Sequence, residues 1–313
     1  MNEIVASSEA MCEVVRLAER VAATDANVLI TGESGAGKDA LAQFIHALSR
    51  RAPGNFVKID CAALPSELLE AELFGYERGA FTGAVETRPG RLEAAHKGTL
   101  LLDEIAHLSL EAQAKLLRVI ERREFERLGG RRTVKVDARL IAVTNVDLED
   151  AVRRRAFRED LFYRLNVVHL EVPPLRERSA DVSALASQYL KIYATKHGRA
   201  LNSIAPEALK MLEAYTWPGN VRELANTIER AVIVANKERL EVSDLPEAIR
   251  TVVLMQERNN RRRTLAEVET EYINETLAAT RGNKSKAAHI LGISRKNLYE
   301  RLARNSNGST RDE

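Results

Sequence analysis

Aromatic side chains are scarce in this chain: seven tyrosines, seven phenylalanines and one tryptophan in 313 residues. Cysteine is scarcer still. The two thiols, Cys12 and Cys61, have no CxxC spacing, which excludes a disulfide framework and a thiolate zinc site and fits a reducing compartment. Six scattered histidines form no HExxH pattern, so the sequence carries no metal-site signature of its own. No apolar run approaches the roughly 18 residues that cross a bilayer. The N-terminal stretch MNEIVASSEAMCEVVRLAER lacks the apolar core and small-residue cleavage site of a signal peptide. A cytoplasmic protein with no membrane partner is expected. Charge of either sign is not in excess, with 47 Lys and Arg against 45 Asp and Glu, so overall balance names no partner. Its distribution does, because residues 281–304 hold seven basic residues and one acid, Glu300.

What is present is an alternation. Short apolar runs bounded by turn residues occur at 27–31, 56–60, 98–103, 138–145 and 166–172, and helical patterns such as KDALAQFIHALSR and SLEAQAKLLRVIERR lie among them. This predicts an α/β fold with a parallel sheet flanked by helices over 1–172. After Pro173 and Pro174 the strand signals stop, and 173–249 reads as an all-α subdomain. Residues 250–263 carry no sustained period and end in a basic run, as a linker would. Three further helical patterns over 264–305, separated by Gly282 and Gly292, precede a short tail at 306–313.

Residues 32–39, GESGAGKD, match GxxxxGK after a predicted strand and before a predicted helix, the context in which such a loop cradles phosphates. Gly32, Glu33, Ser34, Gly35, Ala36 and Gly37 supply backbone N–H groups, Lys38 a point charge, and the helix its positive end. Asp39 stands where P-loop enzymes carry a Ser or Thr on magnesium. It acts through a metal-bound water or merely caps the helix. GTLLLDE ends an apolar strand in Asp103 and Glu104, where Asp103 would hold magnesium and Glu104 would polarise the attacking water. Thr144 and Asn145 end another strand, where a γ-phosphate sensor would sit. Arg158 and Arg164 flank the apolar ladder of Phe157, Leu161, Phe162 and Leu165, as solvated arginines or as groups for transition-state charge. Arg222 senses nucleotide or pairs with Glu223 or Glu229.

One run stands apart: GAFTGA, residues 79–84, places Phe81 and Thr82 between Gly79-Ala80 and Gly83-Ala84. Turn chemistry is expected there rather than packing. Through this run, and through GESGAGKD, CAALPSELLEAELFG, GTLLLDEI, FREDLFYRLNVV, PPLRER, WPGNVREL and GNKSKAAHILGISRKNLYERL, the chain resembles the AAA+ activators of sigma-54 RNA polymerase, the bacterial enhancer-binding proteins of the nitrogen-regulator type. The resemblance implies an AAA+ P-loop core, a helical lid and a C-terminal Fis-like helix-turn-helix. It implies an ATPase using ATP and Mg2+, assembled from dimer to hexamer, whose Phe81 and Thr82 contact sigma-54 in the holoenzyme. Arg158 and Arg164 would then reach a neighbouring subunit's site, Thr144 and Asn145 would form sensor I, and Arg222 sensor II. Asp60 stands where many members have an Asn bonded to the catalytic glutamate, here Glu104, and two neighbouring carboxylates would raise one pKa. Asp39 replaces a more common Glu. The chain opens at EIVASSEAM, near the start of an AAA+ domain, so no receiver domain of the two-component kind is expected ahead of it: regulation is in trans or the chain is cut from a longer one.

In the tail, Ala287, Ala288, Ile290 and Leu291 are expected to pack the first helix of the motif, and Ile293, Leu298 and Leu302 the second. Ser294, Arg295, Lys296, Asn297, Tyr299, Arg301 and Arg304 are left for double-stranded DNA, with Arg295 and Asn297 on base edges and Lys284, Lys286 and Arg304 on phosphates. One such module buries only roughly 600–1,000 Å², so dimers reading palindromic upstream sites are expected, with helix 264–280 as a dimer element. An AAA+ loader or unfoldase shares the nucleotide site but requires neither GAFTGA nor a DNA tail. A DNA-binding regulator with a degenerate ATPase would show no turnover.

Overall fold

The computed structural model describes residues 4–236, 238–251, 265–280 and 282–307. The chain forms two compact units, Met1–Arg250 and Thr251–Glu313. The first opens with α1 (Glu9–Ala22), capped by the Ser8 hydroxyl, which accepts the Met11 N–H at 3.3 Å. It continues through β1 (Val28–Thr31), α2 (Lys38–Ala47), β2 (Phe56–Asp60), α3 (Ser66–Phe74), β3 (Gly75–Tyr76), β4 (Arg88–Pro89), α4 (Arg91–Ala94) and β5 (Thr99–Asp103). Then follow α5 (Leu110–Arg122), β6 (Glu124–Glu126), β7 (Thr133–Lys135), β8 (Arg139–Thr144), α6 (Leu148–Arg153), α7 (Glu159–Leu165) and β9 (Val168–Glu171).

Five strands form one parallel sheet in the order β2-β5-β8-β1-β9. The middle strands are apolar at their centres because both faces are covered. Leu100 and Leu102 of β5 pack into the core beneath α3 and α5, while Leu101 between them faces the opposite core with α1 and α2. Arg139, 1% exposed, is the one cation at the start of a core strand. It donates to the carbonyls of Val21 (2.9 Å), Ala22 (3.3 Å) and Ala26 (3.2 Å), meeting the orphan acceptors and negative end of α1. Since the strands are parallel, their carboxyl ends share one edge, and Gly32, Asp60, Asp103 and Thr144 are delivered there together.

The lid carries α8 (Val182–Lys196), β10 (Ser203–Ile204), α9 (Pro206–Ala214), α10 (Asn220–Val234) and β11 (Arg239–Leu240). The helices-only reading of 173–249 is corrected here. Ser203 and Ile204 pair in parallel with Arg239 and Leu240, a ladder too short to leave a period-two signal. Trp217, fully buried, donates its indole N–H to the Leu212 carbonyl at 2.7 Å. Asp181, also fully buried, accepts Ser7 N–H and Ser8 N–H at 2.6 and 2.7 Å and so ties the N-terminal segment to the lid.

The second unit contains α11 (Leu265–Ala279), α12 (Lys284–Ile290) and α13 (Arg295–Asn307). Its core is Ile273, Ala287, Ala288 and Leu298, with Leu277, Leu291, Ile293 and Leu302 against it. Ile290, expected in that core, is instead 52% exposed. Seven residues of helix leave room for only a narrow apolar stripe, and Ala287, Ala288 and Leu291 fill it. Gly282 and Gly292 have φ of +79° and +65°, so both turns use the left-handed region that glycine enters freely. Most of the linker expected at 250–263 and of the tail at 306–313 lies outside the described residues. Among the described residues no helix is long and apolar enough to cross a membrane.

Candidate nucleotide site and its attachments

The loop between β1 and α2 is shaped by glycine. Gly32, Gly35 and Gly37 have φ of +144°, +76° and +104°, and a Cβ on Gly35 would lie 2.6 Å from the Gly219 carbonyl. Lys38, 6% exposed, folds back into the loop and donates from Nζ to the carbonyls of Gly32 (2.8 Å) and Glu33 (3.0 Å). Burial pushes its pKa down, against the pull of Glu104, Asp103 and Asp39. A glycine-shaped loop with a lysine at the start of the following helix is the arrangement whose backbone N–H groups, ammonium and helix N-terminus can receive phosphate.

Facing it, Asp60 and Asp103 stand opposite one another in the β2–β5 register. Glu104 follows with φ +51° and ψ +49°. A non-glycine residue in this region costs about 1–3 kcal/mol, and such outliers cluster at functional sites. Its Oε2 accepts the Asn145 N–H at 3.3 Å. The Asp60 carboxylate is held by the Ala62 N–H at 2.9 Å, so backbone donors, rather than one another, anchor Asp60 and Glu104. Thr144 is fully buried, and its hydroxyl accepts the Val146 N–H at 3.0 Å. Behind the acids, burial first and then Asp60, Asp103 and Glu104 push the Cys61 thiol to about 12.

Lys58 was not singled out in the sequence. Its Nζ lies 2.7 Å from Oδ2 of Asp103 and also pairs with Oδ2 of Asp39. The signal was present in FVKID, where residues 58 and 60 share a face of β2. Asp39 is therefore committed to a lysine, and the N-cap of α2, Gly37, has no side-chain cap. Among the described residues no group of three or more His, Cys, Asp or Glu side chains is arranged to hold a metal. The donor set that fits a divalent ion is Asp103 with phosphate oxygens and water.

The lid closes the other side. Arg222 donates from Nη1 to Ser34 Oγ at 2.9 Å and from its backbone N–H to the Gly35 carbonyl at 3.3 Å. Its two alternative partners are taken, Glu223 by the Gly219 N–H and Glu229 by Lys196 and His197. Glu33 turns away from the phosphate cradle. Arg176 grips it at 2.9 and 2.7 Å, and Asn220 Nδ2 donates to it at 3.0 Å. These contacts hold its pKa at about 2, from an ordinary 4.5, with the Arg176 hydrogen bonds as the largest cause. A depressed carboxylate pKa means the contribution is present above about 4.5 and is lost as pH falls toward 2. The Glu33→Gln variant should therefore be less stable than the parent at pH 7, and the two should converge near pH 2 in an acid titration followed by circular dichroism. A constant offset down to pH 2 would remove Glu33 as the cause.

The chain's own partners for Arg158 and Arg164 are Asp160, at 3.0 and 2.7 Å, and Glu121, at 3.2 Å. Neither arginine is drawn to the phosphate loop of its own chain.

A model of the sigma-54 interaction domain matches residues 4–171, one of the AAA+ ATPase lid domain residues 176–262, and one of the bacterial regulatory proteins of the Fis family residues 264–304. The chain belongs to the sigma-54 interaction domain family. It is 48% identical over 310 residues to the regulatory protein AtoC of Escherichia coli K12, covering 96% of this chain and 67% of AtoC. It is 45% identical over 315 residues to the transcriptional regulatory protein FlbD of Caulobacter vibrioides, covering 96% of this chain and 69% of FlbD. The crystal structure of NtrX from Brucella abortus in complex with ATP superposes with a TM-score of 0.74 at 37% identity, covering 96% of this chain and 69% of that one. The protein is thus a sigma-54-dependent transcription activator built on a nucleotide-binding AAA+ ATPase, with a Fis-type DNA-binding domain.

In this sigma-54 activator, GAFTGA forms a closed loop. The Gly79 N–H donates to the Ala84 carbonyl at 2.8 Å and the Ala84 N–H to the Phe81 carbonyl at 3.0 Å. Gly79 and Gly83 take φ of +84° and +105°. Thr82 is exposed, and Phe81, 40% exposed, sets its ring edge-on to Tyr76 at 5.0 Å. The loop leans on the β6–β7 turn, where Gly129 meets Ala80 and Arg127 spans Glu77 and Glu93.

In the activator's second unit, Lys286, Arg295, Lys296 and Asn297 are exposed. Lys284 lies 4.7 Å above the Tyr299 ring. Ser294 accepts the Asn297 N–H at 3.2 Å and so caps α13. Arg301 pairs with Glu269 of α11, and the Arg304 side chain is outside the described residues.

Proposed function

We propose that this activator hydrolyses Mg2+–ATP in the cytoplasm and uses the cycle to drive loop 79–84 against sigma-54, converting closed complexes of the polymerase holoenzyme into open ones. Asp103 holds the magnesium, Glu104 activates water, Thr144 and Asn145 follow the γ-phosphate, and Arg222 follows it from the lid. The carrying observation is connectivity. Loop 79–84 lies on the segment that joins β2, ending in Asp60, to β5, ending in Asp103, so a change at the acids has a direct covalent route to Phe81 and Thr82. The second unit brings the assembly to palindromic upstream DNA as dimers, through Lys284, Lys286, Ser294, Arg295, Lys296, Asn297, Arg301 and Arg304, and the AAA+ domains close into hexamers.

The test is ATP turnover against protein concentration, with sigma-54 holoenzyme on a closed promoter and opening scored by strand reactivity. Cooperative turnover with ATP-dependent opening is expected. Thr82→Ala should keep the turnover and lose the opening. Equal loss of both would make the loop a structural element only.

A further inference from the structure

Lys58 is a cation at the nucleotide site that the phosphate loop does not use. Three chain segments meet at its ammonium: β2 through Lys58 itself, the first turn of α2 through Asp39, and the end of β5 through Asp103. Lys38 feels the field of the same acids but hydrogen-bonds the Gly32 and Glu33 carbonyls, whereas Lys58 pairs with Asp39 and Asp103 directly. Lys58 is thus the closest compensating charge for two carboxylates, one of them, Asp103, only 16% exposed in its side chain. Without it, Asp39 and Asp103 would present two negative charges converging on one point, an arrangement that attracts a hard divalent ion. With it, an arriving dication meets an ammonium already bound to the same oxygens. ATP alters that balance, since its phosphates bring several negative charges and further oxygen ligands.

We propose that Lys58 is a built-in counter-ion that withholds the divalent-metal position at Asp103 until nucleotide phosphates deliver the ion. It is a positioning residue that sets the order of binding, metal with nucleotide rather than metal first. The inference rests on the reading of Asp103 as the magnesium residue.

The experiment follows free Mn2+ by its paramagnetic resonance signal during titration with the full chain. Nucleotide-free parent should leave Mn2+ free, and with ATP it should capture Mn2+ beyond what the same ATP binds in a protein-free blank. Nucleotide-free Lys58→Met should capture one Mn2+ per chain, roughly tenfold or more tighter than the parent, as removal of a unit charge in contact with the ligand oxygens requires. Lys58→Arg should behave as the parent, and adding Asp103→Asn to Lys58→Met should abolish the capture. A folded Lys58→Met, or Lys58→Gln should the methionine fail to fold, that titrates like the parent overturns the proposal. Asp103→Asn alone, measured with ATP, separates the two levels. Loss of the capture in excess of the ATP blank keeps Asp103 as the metal residue even if Lys58 is inert, whereas an undiminished excess removes both.

Discussion

Glu104→Gln is expected to lower ATP turnover by about 10²–10⁴-fold, the range for a positioned general base, while leaving nucleotide affinity close to that of the parent. Glutamine keeps the volume of the side chain and an oxygen that accepts the Asn145 N–H, now 3.3 Å from Oε2, so the geometry survives and only the proton-accepting carboxylate is lost. The left-handed backbone at residue 104, φ +51°, is unchanged by the swap. Affinity is expected to come from elsewhere, the loop amides and Lys38. Turnover at saturating ATP, measured beside binding of a fluorescent nucleotide, checks both halves. Turnover within tenfold of the parent would remove Glu104 from the chemistry, and a parallel loss of affinity would mean that it shapes the loop.

The features legible in the sequence were those whose physics is local. GTLLLD reads as a strand because β5 is an apolar run covered on both faces, and GESGAGK reads as a cradle because Gly35 and Gly37 take left-handed φ of +76° and +104° that glycine adopts freely. Features that depend on distant partners were not legible. Lys58 in FVKID looks like any solvated lysine until the sheet order places β2 beside β5 and α2 supplies Asp39. Asp39 could not be assigned from its position for the same reason. Glu33 sits within the loop motif, yet its side chain serves Arg176 and Asn220, more than 140 residues away. The pairs β3–β4 and β10–β11 have two residues per strand, and β6–β7 three. No periodicity exists at that length, and tertiary context alone makes them.

Arg158→Ala and Arg164→Ala are expected to cost about 10³–10⁵-fold in turnover for whichever arginine serves as the finger. The effect should be repairable by another chain. Among the described residues both guanidiniums are exposed and bound to surface carboxylates, Asp160 and Glu121. Such pairs are weak and readily exchanged in water, so in a ring a neighbour's γ-phosphate in a desolvated interface would be expected to outcompete them. Mixing supplies the discriminating measurement. The arginine variant retains an intact phosphate loop but lacks the finger, whereas Lys38→Ala retains the finger but lacks the loop, and each alone should be inactive. Co-assembled, a Lys38→Ala chain presents its arginine to the intact loop beside it, and turnover should return. If the two variants assemble together and turnover stays absent, the arginine acts on its own chain or holds the fold, and the ring is not needed to complete the site.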